Sequence, residues 1–494
     1  MIKILLFTII SKSIQIPTTL YEITTRPYLY SLGKKLNKQC TIRDIPEQEF
    51  DDWKNKGFEW VWFMGIWALG PNSLKIAQED AGCIQGYNEN CPGWTNEDII
   101  GSPYSIVRYS VNPAVGTLDD IKWVRDQLNK RGIKLMLDFV PNHSAWEASE
   151  IKTNKNFYIY TNHFPLQDKT RYSNAGIAYG KEYESTSWTD CAQFNYFDRG
   201  LRDHQIGVLK FIASIADGVR CDMSHCVINK IFERCWEKEL KELGYATPST
   251  EFWKEATTAV KADYPNFIFL GECYHDTEQT LVDLGFNYVY DKIPYDKLRD
   301  KEVTNFVDQV LRRSAEVKSH SCFFTENHDE NRAVKTFGGY TQANAAAACL
   351  LTLPGMRFIN TFQWEGPRNK IDVHLRRANS EEPNSECIHF YNKLFELLKR
   401  KSMKYGEFSQ LYVDGSSTIP AWSYSYGEEH ILITVNYGDN RSSGWVRLPY
   451  APNGEIILLK EILTESTFYR NGDETRNKGL FVVLEPYQVQ IYKY

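Results

Sequence analysis

The chain has 494 residues, 42% hydrophobic and 24% charged, enough apolar material for one large core and a second small one. Lys and Arg number 57 against 63 Asp and Glu, a net charge of −6, which argues against nucleic acid or another polyanion as a partner. No stretch approaches the roughly 18 apolar residues of a membrane span, so a soluble chain without a membrane partner is expected.

Lys3 is followed by ILLFTII, residues 4 to 10, a run as long as a short signal-peptide core but with no clear small-residue cleavage site after it. Residues 1–17 are therefore set apart as an N-terminal extension. A cytoplasmic location is expected, with secretion through this segment as the alternative. Among the 11 cysteines, Cys221, Cys273 and Cys322 fall in strand-like runs and read as packed thiols. Cys83 and Cys91 lie in a Gly/Asn-rich stretch read as a loop, where they would pair in an exported protein.

Between residues 20 and 400, short β-branched or aromatic runs alternate with segments of helical period, as in successive βα units. The predicted strands are LYEITT (20–25), EWVWFMGIW (59–67), IKLMLDFV (133–140), DGVRCDM (217–223), FIFLGECY (267–274), FNYVYD (286–291), SCFFTEN (321–327) and MRFINTF (356–362). Helical segments separate most of them. In residues 118–132, for example, Leu118, Ile121, Val124 and Leu128 share one face. Eight such units predict a closed (β/α)8 barrel. A doubly wound open sheet is the alternative, but no G-x-G-x-x-G follows the first strand.

One connection is abnormally long. About fifty residues separate the third strand from the helix near 203–216, where a loop ordinarily has about 2 to 6. Carrying Trp146, Tyr158, Tyr160, Tyr172 and Trp188, it is expected to hold structure of its own. After residue 405 the helical period gives way to short alternating runs, which predicts an antiparallel β-sandwich. The expected organisation is a barrel from 18–140 and 199–404, an inserted subdomain over 141–198 and a β domain over 405–494.

In such a barrel the reacting groups sit at the C-terminal strand ends. Four predicted strands end in ionisable clusters: Asp138, Asn142 and His143; Arg220, Asp222 and His225; Glu272; and Asn327, His328 and Asp329. Taken singly, Asp222 reads as a helix cap, Glu272 as a surface ion-pair partner, and His143 and His328 as hydrogen-bonded core histidines. Gathered round one mouth they suit glycosidic bond cleavage with retention, which uses a carboxylate nucleophile and a carboxylic acid about 5 to 5.5 Å apart. Arg220, two residues before Asp222, points to the same side of the strand and should hold it ionised as the nucleophile. Glu272 follows an apolar run with no basic neighbour, so burial should keep it protonated as the acid. Asp329 is left to stabilise positive charge at the anomeric carbon, and His143 and His328 to donate to sugar hydroxyls.

These residues, in this order, resemble the α-amylase superfamily of glycoside hydrolases. DFVPNH (138–143), GVRCD (218–222), GECY (271–274) and ENHD (326–329) are similar to its four strand-end motifs, TDCAQFNYF (189–197) to its additional motif, and LTLPGMRFIN (351–360) to its eighth strand. The resemblance implies a retaining activity on α-glucosidic bonds, α-1,4 bonds in particular, with Asp222, Glu272 and Asp329 catalytic. It also implies that Asp138, His143, Arg220 and His328, joined by Tyr104, His225 and Asn327, shape the sugar subsite. The chemistry would need no cofactor, a structural calcium could sit at Asn142, and the chain would act as a monomer on carbohydrate. A transglycosylase or trehalose-forming isomerase of the same superfamily, and a non-catalytic carbohydrate-binding relative, are the alternatives. Three departures stand out: Cys226 four residues after Asp222 where a His is common, Arg108 in SPYSIVRYSVN where an acidic residue is usual, and TFQWEGPRN in place of a Gly-Gln-Glu pattern.

Overall fold

The computed structural model of the protein describes residues 14–163, 166, 168–183, 185–452 and 454–494. The apolar run at 4–10 lies outside the described residues. Among those described, no helix is long and apolar enough to cross a membrane.

Eight parallel strands close into a barrel: β1 (Thr18–Thr24), β2 (Trp60–Met64), β3 (Lys134–Phe139), β4 (Gly218–Cys221), β5 (Ile268–Gly271), β6 (Tyr288–Tyr290), β7 (Ser321–Phe323) and β8 (Met356–Ile359). Closure is made by β1 pairing β8, with Thr18 opposite Met356 and Tyr21 opposite Ile359. Strands covered by helices outside and packed side chains inside are buried on both faces, which is why they read as continuous apolar runs. The register sets Asp138 of β3 beside Arg220 of β4, and Glu22 of β1 beside Trp62 of β2. Two charged rows thus enter the barrel interior.

Residues 59–67 divide where one strand was expected. Gly65, with φ of 74°, turns the chain after Met64, and Trp67–Leu69 pairs antiparallel with Ile106–Val111. Gly65 is required there because other side chains rarely adopt that backbone, and a Cβ would lie 2.8 Å from Pro103 Cβ. The stretch holding Cys83 is likewise a helix, Ala81–Asn90, capped by Asp80, rather than a loop. Eight residues of rise, about 12 Å, separate Cys83 from Cys91, beyond the roughly 7 Å that a disulfide spans. Both thiols are free, as are the other nine.

Between β3 and the helix Arg199–Ile215, the strands His143–Ala145, Tyr179–Gly180 and Trp188–Gln193 make a small antiparallel sheet beside the barrel mouth. Beyond residue 406 a six-stranded and a three-stranded antiparallel sheet enclose a separate apolar cluster that includes Val446, Leu459 and Leu484. Tyr424 and Trp422 anchor this unit to the barrel by donating to Thr352 O at 2.6 Å and Thr352 Oγ1 at 3.2 Å.

Candidate active site

The site is built on Arg220. Its guanidinium is wholly buried and lies 5.2 to 5.4 Å from the ring centroids of Trp62, Tyr104 and Tyr290. Those rings supply favourable faces but no counter-charge. Two carboxyls supply that: Nη1 donates to Asp222 Oδ1 at 2.7 Å, and Nη2 lies 2.8 Å from Glu272 Oε2, an ion pair off the N–H direction. One guanidinium therefore joins the ends of β4 and β5.

The backbone is bent to complete this junction. Asp222 N donates to Phe139 O at 2.8 Å and Glu272 N to Cys221 O at 2.9 Å, extending the ladder past the strand ends. Met223 then turns into the left-handed region, with φ of 41°, at a cost of roughly 1 to 2 kcal/mol for a residue with a Cβ. The turn aims Met223 N at Glu272 Oε2, 2.8 Å away. Tyr274 Oη donates to the other oxygen, Oε1, at 2.9 Å.

Arg220 attends both carboxyls, which corrects the expectation that it serves Asp222 alone. Burial first, and then the charge of Glu272, push the Asp222 carboxyl up to about 8. Asp222 thus binds a proton more readily than an exposed carboxylate, because its charged form is both desolvated and beside another acid. The expectation of an Asp222 held ionised by Arg220 gives way, since burial and the neighbouring acid outweigh the guanidinium.

Asp329 follows β7 and opens toward the cleft, with half its side chain accessible. Asn327 presents it: Asn327 Oδ1 accepts from Asp329 N at 2.9 Å and Glu330 N at 2.8 Å, so its oxygen is engaged in the turn. His328 Nε2 lies 3.1 Å from Asp329 Oδ2 and 2.9 Å from Tyr104 Oη, and its Nδ1 meets Glu22 Oε1 at 2.5 Å. Burial opposes charge on His328, but Asp329 and Glu22 together outweigh it and raise the imidazole to about 10. Burial would likewise raise the Asp329 carboxyl, yet the His328 charge and hydrogen bond hold it below the usual carboxylate range.

The remaining expected residues surround this centre. Asp138 is buried, and its oxygens accept from Trp62 Nε1 at 3.1 Å and Gly65 N at 2.8 Å. Burial, offset in part by Arg220, lifts it to about 6. Engaged with these donors, Asp138 braces the floor. His143 is driven down to about 4 by burial and packs edge-on against Trp188. Tyr104 stacks on His328 with ring centroids 5.4 Å apart, linking the Arg220 and His328 groups. His225 turns away from the carboxyl pair to Glu182 Oε1, 2.8 Å from its Nε2.

Asn142 does not fit calcium. Its Oδ1 and O, with Phe194 O, surround Gln193 Nε2 at 3.0, 2.9 and 3.1 Å. Gln193 Oε1 accepts from Lys181 N at 3.2 Å, which fixes the amide orientation. A hard cation needs several oxygen ligands, and here an amide nitrogen already sits among the oxygens.

Sequence reasoning missed Glu22, Tyr274 and the Met223 amide. Glu22 had a visible signal, a lone acid inside the apolar strand LYEITT. The Met223 amide had none, since any residue carries an N–H.

A closed (β/α)8 barrel with carboxyls gathered at its C-terminal mouth, a sheet inserted after β3 and an antiparallel C-terminal unit places the chain among the (β/α)8-barrel proteins. Residues 102–387 match the family described as "Alpha amylase, catalytic domain", and the chain belongs to that family. It is 23% identical over 439 residues to Alpha-amylase 3 of Dictyoglomus thermophilum, covering 78% of this chain and 81% of that one. It is 24% identical over 340 residues to the cyclomaltodextrin glucanotransferase of Geobacillus stearothermophilus, covering 66% of this chain and 46% of that longer one. The fold is also similar to the crystal structure of an alpha-amylase from Lactobacillus plantarum, with TM-score 0.70, 18% identity and coverage of 97% and 98% of the two chains.

Proposed function

We propose that this chain is a retaining enzyme of α-glucans, cleaving α-glucosidic bonds, α-1,4 bonds among them, through a covalent glycosyl intermediate. The observation that carries the reading is the single guanidinium of Arg220 holding both Asp222 and Glu272. It brings the proposed nucleophile and the proposed acid to one place, as the retaining reaction requires.

In the first step Glu272 gives its proton to the glycosidic oxygen as the bond from that oxygen to the anomeric carbon breaks. An Asp222 oxygen bonds to the same carbon. In the second step water gives a proton to Glu272 while its oxygen bonds to the anomeric carbon, and the bond to Asp222 breaks. Asp329, held ionised by His328, stabilises the positive charge that develops at the anomeric carbon in the transition state of each step. Tyr104, His143 and His328 line the subsite of the attacked sugar, and no cofactor enters the chemistry.

Replacing water by a sugar hydroxyl in the second step gives transglycosylation, a reading favoured by the glucanotransferase among the relatives. Incubation with maltoheptaose and analysis of the products tests the proposal. Hydrolysis gives shorter chains only, whereas transfer gives lengthened or isomeric products. Asp222→Asn should lower turnover by at least about 10³-fold while oligosaccharide binding remains measurable. Wild-type-like turnover in that variant refutes the role of Asp222.

A further inference from the structure

Among the described residues, three metal-capable side chains from separate segments converge in one place only, at the loops that follow β4 and β5. Glu182 comes from the loop before the strand Trp188–Gln193, His225 from the turn after β4, and His275 from the loop after β5. Glu182 Oε1 lies 2.8 Å from the Nε2 of each histidine, and the three ligand atoms all fall within 4.8 Å of one another. His225 is fully buried, whereas the His275 side chain is 62% exposed, so the cluster has a rigid inner ligand and an open outer one. A second feature is independent of these contacts. His275 and Asp276 are both in the left-handed region, with φ of 60° and 57°, and two consecutive residues with a Cβ held there store strain of the kind found at ligand sites. That turn is what brings His275 back over Glu182.

We infer that Glu182, His225 and His275 form a binding site for a divalent transition-metal ion of the zinc type, and that an ion held there inhibits the enzyme. Two imidazole nitrogens and one carboxylate oxygen are a zinc ligand set that leaves a fourth position for water, and this donor set disfavours calcium and magnesium. On binding, the proton that each Nε2 donates to Glu182 is displaced, each neutral ring then carries its single proton on Nδ1, and the freed Nε2 lone pairs turn to the metal. The inhibitory half of the inference rests on the proposed glycosidase mechanism. His225 packs edge-on against Tyr274, with centroids 5.6 Å apart, and Tyr274 donates to Glu272. Turning His225 to the metal displaces the Tyr274 ring packed on it and so disturbs the hydrogen bond that positions Glu272.

The test uses the full chain stripped of metal with a chelator and titrated with zinc chloride by calorimetry, with activity followed in parallel. One zinc per chain should bind in the micromolar range or tighter, and activity should fall as the site fills. His275→Ala and Glu182→Gln should each weaken binding at least tenfold. His163→Ala, at an exposed histidine beside Glu242, should leave it unchanged. No binding below millimolar zinc, or wild-type affinity in both site variants, overturns the site. Stoichiometric binding with full activity overturns the inhibition. Binding is read without substrate, so a chain inactive toward glucans in the absence of zinc would sink the proposed function and leave the metal site standing.

Discussion

Oε1 of Glu22 lies 2.5 Å from Nδ1 of His328, and both side chains are buried in the barrel interior. Glu22 comes from the first strand and His328 follows the seventh, 306 residues apart. The imidazolium held between Glu22 and Asp329 transmits the charge of β1 to the cleft.

Glu22→Gln should therefore lower the pKa of His328 and let that of Asp329 rise. His328 is raised from 6.5 to about 10 in the folded chain, so its contribution to stability is complete below about 6.5 and is lost as pH rises through about 10. The stability gap between wild type and Glu22→Gln, measured by urea unfolding, should be a few kcal/mol near pH 7 and shrink toward pH 10. A gap that does not change with pH would show that His328 is neutral.

The raised Asp222 carboxyl sets a lower pH limit. With Asp222 pushed up to about 8 by burial and the charge of Glu272, the nucleophile becomes ionised only as pH rises toward that value. The profile of kcat/KM, which reports the free enzyme, should rise on its acidic side toward pH 8. A profile flat from about pH 5 to about pH 8 would contradict the raised carboxyl.

Arg220→Lys keeps the charge but loses the planar fork that reaches two carboxyls at once. Loss of one charge-assisted hydrogen bond, about 1.5 to 3 kcal/mol, corresponds to a drop of roughly 10- to 100-fold in kcat. Arg220→Met leaves two buried acids without a counter-charge and should destabilise the fold by about 3 to 5 kcal/mol. Thermal unfolding and steady-state kinetics on both variants separate the two effects.

Gln193 ties the inserted sheet to the end of β3 through the oxygens of Asn142. Millimolar calcium should leave the melting temperature of the wild type unchanged, since an amide nitrogen holds the place among those oxygens. Gln193→Ala, which leaves buried acceptors unsatisfied, should cost about 1 to 3 kcal/mol. A calcium-dependent rise in melting temperature for the wild type would show that the amide yields to the ion.

Much of this was legible in the chain itself. The eight strands follow from local composition, because a strand buried on both faces must be apolar throughout, and the positions of Asp222 and Glu272 follow from being next after such strands. Arg220 and Asp222 were also predictable as a pair, since residues two apart share a side of one strand. The partners from other strands were decided only by closure of the barrel: Glu22 beside His328, Glu272 on the second arm of Arg220, and Glu182 against two histidines. Local sequence records which side a residue faces, but not which distant charge faces it. Whether a buried charge is balanced, shared or lifted out of its usual range depends on those distant charges, and so only the tertiary structure settles where the protons reside.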